Sequence, residues 1–304
     1  MELGVFYIPV ESKREQYLEA VEQICNMLAM DPYPGFEGKY FSMPCRNIVP
    51  KPAQRPHPPL WVACSNRETI KMAARLGIGA LTFAFVDPLD TKRWVDECHS
   101  IIKSDECVPV GHTVNANIAM VTSFSLHQDR EEAINRGLEG FEFFGYGLGA
   151  FYGFGEHKPG RTNLFKQFRE AREKQLAEMP VDIAESLTGA RGGIGTPDDM
   201  RGHLKKFEKV GVDQVTFIQQ ECMNKHEHIC ESLELFTSEV MPEFKAREAE
   251  REGKKTEELA PYIEAALARK KFMPMPDDKD IPVFPALGRS IAEGEQDPNK
   301  EVQV

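Results

Sequence analysis

The sequence predicts an α/β protein whose strands run parallel, and three observations support this prediction. Short apolar runs alternate with segments in which apolar residues recur at helical spacing. The segments between the apolar runs are long enough to form crossover helices, which return the chain to the same edge of a sheet. Turn residues such as Gly77, which ends the first of these helical segments, separate the units.

Four strand–helix units can be counted along the chain. The predicted strands span 59–64, 79–85, 113–124 and 212–218, and the predicted helices span 67–76, 88–103, 129–144, 197–210 and 225–242. A closed (β/α)8 barrel needs eight such units. The pattern therefore predicts the C-terminal four units of a barrel, forming one parallel sheet with helices on its outer side.

The segment before the first unit predicts a helix and an irregular stretch. Apolar residues at helical spacing indicate a helix over 12–30, with Ser12 and Glu15 as a capping box. The glycines and prolines of 33–52 indicate an excursion with one small hairpin. The chain thus begins where the fourth helix of a barrel would stand.

Two regions interrupt the alternation. Residues 145–195 begin with glycines alternating with aromatic residues, which indicates a loop that serves either as a lid over a site or as a packed connection. From Arg247 the chain is highly charged, with one helix predicted over 257–270 and a disordered end. We therefore predict a barrel domain over 1–246 and a charged tail over 247–304.

Composition excludes several classes of function. A net charge of −11 without a basic block argues against a nucleic-acid partner. No apolar run has the length of a membrane span, and the first residues do not resemble a secretory signal. Seven cysteines without a paired framework fit a reducing compartment, so we expect a cytoplasmic protein with no membrane partner.

Several motifs resemble those of the luciferase-like flavin-dependent monooxygenases, the family of bacterial luciferase. They are "PKPAQRPHPPLWVAC" at 50–64, "SNRETIKMAARLG" at 65–77, "GTPDDM" at 195–200, "VGVDQVTF" at 210–217 and "SLELFTSEVMPEF" at 232–244. The resemblance covers roughly residues 10–245 in the right order. Family members are complete barrels, and their first four units, which supply much of the flavin bed and the acid–base residues, have no counterpart here. We therefore expect that the chain is incomplete, has lost the chemistry, or is completed by a partner chain.

The resemblance implies a phosphate site at the turn after the first strand. In the family, a serine and a threonine one turn later hold the 5′-phosphate of FMN, which carries over to Ser65 and Thr69, with Asn66 as a neighbour. A helix N-terminus at the carboxyl end of a parallel strand also suits a phosphate on physical grounds. The alternative is that Ser65 and Glu68 are only a capping box.

Other candidate residues carry less information. Phe85, Gln219 and Gln220 lie near predicted strand ends, where barrel sites are built, although strand-end phenylalanines usually belong to a core. Cys222, His226 and Cys230 lie four residues apart, but a fourth zinc ligand is not apparent, so we predict no metal site. The stretch 189–195, "GARGGIG", lacks the context of a dinucleotide fingerprint and is predicted to be a loop.

The resemblance implies an enzyme that uses reduced FMN and oxygen to insert one oxygen atom into a small organic substrate, with the reduced flavin supplied by a separate reductase. No acid–base residue can be assigned. Two alternatives stay open: a deazaflavin- or flavin-dependent hydride transfer on the same fold, and a non-catalytic half-barrel subunit. We also expect either a homo-oligomer or a chain that supplies the complementing half of the barrel, because open sheet edges aggregate unless covered.

Overall fold

The fold was analysed in a computed structural model that describes residues 11–64, 66–82, 88–178, 192–219 and 224–284. Contacts divide the chain into two compact units. The first contains the described residues of 1–58, 110–112 and 271–304, and the second those of 59–109 and 113–270. The predicted division after residue 246 stays a prediction, although one helix runs across that position.

The second unit is built on a four-stranded parallel sheet, which confirms the predicted arrangement. Its strands are β3 (Trp61–Cys64), β4 (Gly79–Thr82), β5 (Ile118–Ser123) and β8 (Gln214–Ile218), in the order β3-β4-β5-β8. Each connection contains at least one helix, as parallel pairing requires. In the part of the chain that the structure describes, this sheet does not close into a barrel.

The predicted helices are present in the predicted order with shifted ends, and a further helix, α5 (Leu164–Glu178), was not predicted. They are α1 (Glu11–Ala29), α2 (Arg67–Arg75), α3 (Pro88–Ile102), α4 (Arg130–Gly149), α5 (Leu164–Glu178), α6 (Pro197–Lys209), α7 (His226–Leu235) and α8 (Met241–Arg269). The cap of α6 is as predicted: Thr196 accepts from Asp199 N, Asp199 reciprocates, and Pro197 follows. Ser12 instead lies inside α1, and Glu15 accepts hydrogen bonds from Lys39 and Tyr40.

The two faces of the sheet differ in how far helices cover them. Side chains of one face pack into the main core, as shown by Cys64, Ala80, Ile118 and Met120, which are at most 1% exposed and cluster with residues of α2, α3, α6 and α8. The opposite face contains the intervening residues of each strand. Its members on the outer strands, Ala63, Gln214 and Thr216, are exposed to solvent. The helices therefore lie on one side, as expected for the outer wall of a barrel.

The charged segment after Arg247 differs from the prediction. α8 begins at Met241, sixteen residues before the predicted start, and continues from α7 through a π-helical turn at Phe236–Val240. Leu259 of this helix is part of the main core, and Lys255 donates to Asp213 at 2.6 Å and to Asn117 at 2.5 Å. Tertiary packing thus stabilises a helix whose composition suggests a solvated tail.

The glycine–aromatic stretch is helical, so the predicted loop at 145–155 is wrong. α4 extends to Gly149 and passes into a π-helical turn at Ala150–Phe154. Rings of α4 contact rings of α5: Phe143 lies 5.1 Å from Phe165, and Tyr146 lies 5.6 Å from Phe168. This aromatic packing compensates for the low helix propensity of the glycines.

The first unit contains α1 and the predicted hairpin, formed by β1 (Phe36–Glu37) and β2 (Ser42–Met43) in antiparallel pairing. Buried polar groups are paired within it: Tyr33 donates to Gln23 at 3.0 Å, and the main-chain N–H of His112 donates to His57 at 3.0 Å. These contacts satisfy polar groups that would otherwise be costly to bury. Among the helices described in either unit, none combines the length and apolar character of a membrane span.

Candidate cofactor site

The carboxyl ends of the four parallel strands lie at one edge of the sheet. The strands end at Cys64, Thr82, Ser123 and Ile218. In open and closed parallel sheets, ligands bind at this edge, because helix N-termini and loops converge there. Burial raises the pKa of Cys64 to about 12, so this thiol is protonated at neutral pH and does not serve as a nucleophile.

The turn after β3 leads directly into the N-terminus of α2. Asn66 is the N-cap: its Oδ1 accepts from the main-chain N–H of Thr69 at 3.0 Å and from the Thr69 hydroxyl at 3.1 Å. Ser65 lies outside the described residues. The alternative of a Ser65–Glu68 capping box therefore stays a prediction; Asn66 serves as a cap of this helix, and Glu68 pairs with Lys71 at 2.8 Å.

The surroundings of this turn leave it accessible. Asn66 is exposed and Thr69 is partly exposed, whereas Ile70 directly beyond them is buried and anchors the helix in the core. Arg67 forms an ion pair with Glu97, so its charge is already neutralised. The groups available to an anion are therefore the main-chain N–H groups and the hydroxyl now directed at Asn66.

A second group at this edge was missed in the sequence. Ser123, at the end of β5, is 1% exposed, and its Oγ has no hydrogen-bond partner among the described residues. The main chain of Gly193 passes close by, because a Cβ added there would lie 1.8 Å from the carbonyl oxygen of Ser123. Nothing in the sequence distinguishes this serine from others, since its burial depends on a segment seventy residues away.

The short strands around Gly193 were also missed. β6 (Ser125–Leu126) pairs in parallel with β7 (Ile194–Gly195), and Ser125 N donates to the Gly193 carbonyl at 3.0 Å. The end of the stretch predicted as a loop at 189–195 is therefore partly strand. Two-residue strands give no periodicity that a sequence reading can detect.

The remaining candidates are described only in part. Gln219 is half-buried, and its carbonyl oxygen accepts from Asn224 Nδ2 at 2.7 Å; Phe85 and Gln220 lie outside the described residues. Cys230 Sγ and His226 Nε2 lie 3.5 Å apart, while Cys222 is not described. Within the described part of the chain, no group of three or more side chains could hold a metal ion.

A groove of about 490 Å³ lies against α4 and α5. Its lining includes Tyr146, Phe151, His157 and Lys174. Phe151 is 60% exposed, and its ring lies 5.2 Å from that of His157. None of the candidate residues named from the sequence lines this groove, so the aromatic stretch and the turn after β3 are separate features.

Comparison with protein families identifies the chain. The family model described as luciferase-like monooxygenase matches residues 2–214, which is more than half of the sequence. The chain belongs to this family. The resemblance noted in the sequence is thus confirmed, and so is the TIM-barrel-type α/β fold class, with a partial barrel in the described residues.

One of three similar solved structures, that of the monooxygenase RslO1 from Streptomyces bottropensis, supports the fold of this luciferase-like chain. The chain is 17% identical to it, with a TM-score of 0.54 over 78% of this chain and 63% of that one. The FMN complex of the oxygenating constituent of 3,6-diketocamphane monooxygenase from Pseudomonas putida shows 15% identity over 77% of this chain and 64% of that one, with a TM-score of 0.48.

The F420-dependent tetrahydromethanopterin reductase from Methanopyrus kandleri is similar at 19% identity, with a TM-score of 0.46 over 75% of this chain and 62% of that one. The chain thus spans less than two thirds of the length of each of these three proteins. A search of curated protein sequences gives no match. At these identities the structural likeness establishes the fold alone.

The described residues fit one end of a flavin or deazaflavin. The exposed turn at Asn66 and Thr69 offers donors to a phosphate, and the unpaired hydroxyl of Ser123 shows a polar group without a protein partner at the same sheet edge. Ionisable groups at this edge already have protein partners: Glu68 pairs with Lys71, Glu97 pairs with Arg67, and the His203 imidazole lies 2.9 Å from the Thr122 hydroxyl.

Proposed function

We propose that this luciferase-like monooxygenase is an FMN-dependent oxygenase, for which the chain holds the phosphate end of the cofactor. The observation that carries the proposal is the N-terminus of α2, which stands at the carboxyl end of β3 in a chain of this family. Helix N–H groups and the helix dipole favour an anion at this place.

Each residue of the turn has a role in this proposal. Ser65 and Thr69 donate hydroxyl hydrogen bonds to the phosphate, together with main-chain N–H groups of the first turn. The side chain of Asn66 now accepts hydrogen bonds from the main-chain N–H and the hydroxyl of Thr69. It must therefore rotate away when the phosphate binds these two donors. The cap and the phosphate therefore compete for the same groups.

When bound, reduced FMN supplies the oxygen chemistry, in which one oxygen atom of O2 is transferred to a small organic substrate. The part of the protein is to position the flavin and to exclude water from it. A separate flavin reductase supplies the reduced cofactor in this proposal, and the protein works in the cytoplasm. Hydride transfer with a deazaflavin is the second possibility, since a phosphate site of this kind serves both cofactors.

The proposal is tested by comparing FMN with riboflavin, which lacks the phosphate. Ser65→Ala and Thr69→Ala should each weaken FMN binding by roughly ten- to a hundredfold, because one charge-assisted hydrogen bond contributes about 1.5–3 kcal/mol. Riboflavin binding should change little. Fluorescence titrations of the wild type and both variants measure this difference, and coenzyme F420 is titrated in parallel.

Melting curves of the same variants provide the control for helix capping. If the two hydroxyls only cap the helix, each substitution should lower the free energy of unfolding by about 1 kcal/mol. Each should then change the affinities for FMN and riboflavin equally. Equal weakening of both flavins would contradict the phosphate site. Tighter binding of F420 than of FMN would favour hydride transfer, and binding of neither would leave the non-catalytic subunit as the function.

A further inference from the structure

The two outer strands of the sheet carry unpaired main-chain groups. β3 pairs with β4 only, and β8 pairs with β5 only. No residue of the described ranges forms a main-chain hydrogen bond with the outer side of either strand. Each edge therefore presents N–H and C=O groups that a further parallel strand would satisfy.

Neither edge has the protection that monomeric proteins use. The sequences of the two edge strands, WVAC in β3 and QVTFI in β8, contain no charged residue and no proline. Natural sheets usually block open edges with such residues, with bulges or with a covering segment. The edges of this chain are thus suited to pairing.

The side chains of one face point to the same conclusion. Ala63, Leu81, Ala119 and Gln214 are aligned across the sheet by strand register and so share a face, and Thr216 lies two residues beyond Gln214. On the two outer strands, Ala63, Gln214 and Thr216 of this face are exposed, whereas Ala119 of the inner strand β5 is 2% exposed. In a closed barrel this face forms the interior. Strands on the opposite side of a closed barrel would bury these three exposed side chains.

We propose that two copies of this chain close one eight-stranded barrel, with β8 of each copy beside β3 of the other. The two-fold axis then coincides with the barrel axis, so all strands stay parallel and the same contact is used twice. Two sets of four strands make the eight that such a barrel requires, and no edge is left. A second copy pairs with both open edge strands through one type of contact. A single added strand would pair with only one of them.

This inference rests on the proposed function, because it names the partner that completes the site. A two-fold barrel places two copies of the turn at Asn66–Thr69 at one mouth, and the second copy supplies the wall opposite Ser123. The flavin site of one copy is therefore incomplete without the other.

The geometry of the barrel predicts the register of the new contact. Barrels of this type have a shear of about eight residues, so each half contributes an offset of about four. Register aligns Ala63 with Gln214 through β4 and β5. Adding about four residues brings Ala63 of one copy beside Ile218 of the other, on the same face.

Cysteine cross-linking tests this contact. Within one chain, Ala63 and Ile218 are separated by three strand spacings, about 14 Å, across the sheet and by four residues, about 13 Å, along the strand. A disulfide between them within one chain therefore cannot form. The double variant Ala63→Cys/Ile218→Cys should form a covalent dimer on mild oxidation, at least fivefold more than either single variant. Ala63→Cys combined with Gln214→Cys or Thr216→Cys tests the neighbouring registers on the same face.

The matched control is Ala63→Cys/Gln167→Cys, in which the second cysteine stands at an exposed position of α5. It reports cross-linking by random collision and by the native cysteines. Sedimentation of the wild-type chain should give twice the 34.3 kDa of one copy at micromolar concentration. A monomer up to 100 μM, or cross-linking of all β8 pairs no better than the control, would overturn the proposal.

The outcome is independent of the flavin titrations. A monomer that binds FMN through Thr69 would refute the two-fold barrel and leave the proposed function intact. A cross-linked dimer that binds no flavin would support the two-fold barrel and refute the cofactor assignment.

Discussion

Two serines, Ser123 at the end of β5 and Ser125 at the start of β6, show how much one hydrogen bond depends on its surroundings. Ser123 and Ser125 are both buried, at 1% and 4% exposure. Ser125 Oγ donates to the Ala133 carbonyl at 2.9 Å, whereas Ser123 Oγ has no partner. An unpaired buried hydroxyl costs free energy that a paired one does not.

We therefore expect opposite effects from the same substitution. Ser125→Ala should lower the free energy of unfolding by about 1 kcal/mol, because a buried hydrogen bond is lost. Ser123→Ala should leave it unchanged or raise it by up to about 1 kcal/mol. Urea unfolding of both variants measures the difference. An equal loss in both would indicate that a buried water molecule pairs with Ser123.

At the scale of elements, an ion pair connects α6 to α8. Arg247 donates to Glu208 at 2.7 Å and 2.8 Å, and Glu208 is only 18% exposed. These hydrogen bonds hold the pKa of Glu208 below its ordinary value, against the opposing effect of burial. The contact joins the helix before β8 to the long helix that follows it.

The lowered pKa gives this contact a pH dependence. Because the pKa of Glu208 is lower in the folded state, its stabilisation is complete above the unfolded pKa of about 4.3 and is lost as pH falls through the folded value. Glu208→Gln should therefore cost about 1–2 kcal/mol at pH 7 and much less near pH 3. Urea unfolding at several pH values measures this.

Glu257→Gln is the control for that experiment, because Glu257 is exposed on the same long helix and forms no ion pair with a described residue. It should change stability by less than about 0.5 kcal/mol at either pH. A cost of Glu208→Gln that stays constant from pH 7 to pH 3 would show that the charge of Glu208 is unimportant.

At the scale of the whole molecule, the segment after residue 246 is part of the sheet-containing unit. That unit extends to residue 270, Leu259 is 3% exposed in its core, and Lys255 contacts Asp213 and Asn117 beside the amino ends of β8 and β5. Barrels commonly use this end for stability and the opposite end for function.

Truncation should reveal this role. A chain that ends after Ala246 should lose at least about 3 kcal/mol of unfolding free energy or fail to unfold cooperatively. The reason is that it lacks the buried side chain of Leu259 and the ion pair between Lys255 and Asp213. A chain that ends after Phe284, which keeps all of α8, serves as the control. Similar denaturant midpoints for the two would show instead that 247–304 is a dispensable tail.

The sequence by itself determined the alternation of strands and helices, the parallel sheet, the cap of α6 and the family, because these depend on local periodicity, local hydrogen bonds and motifs. Only the tertiary structure decided that the glycine-rich end of α4 is helical and that α8 starts at Met241. It also decided that Asn66 caps α2 and that Ser123 Oγ has no hydrogen-bond partner among the described residues. Each of these depends on packing between distant segments or on a competition between neighbouring caps, and neither leaves a periodic signal in the sequence.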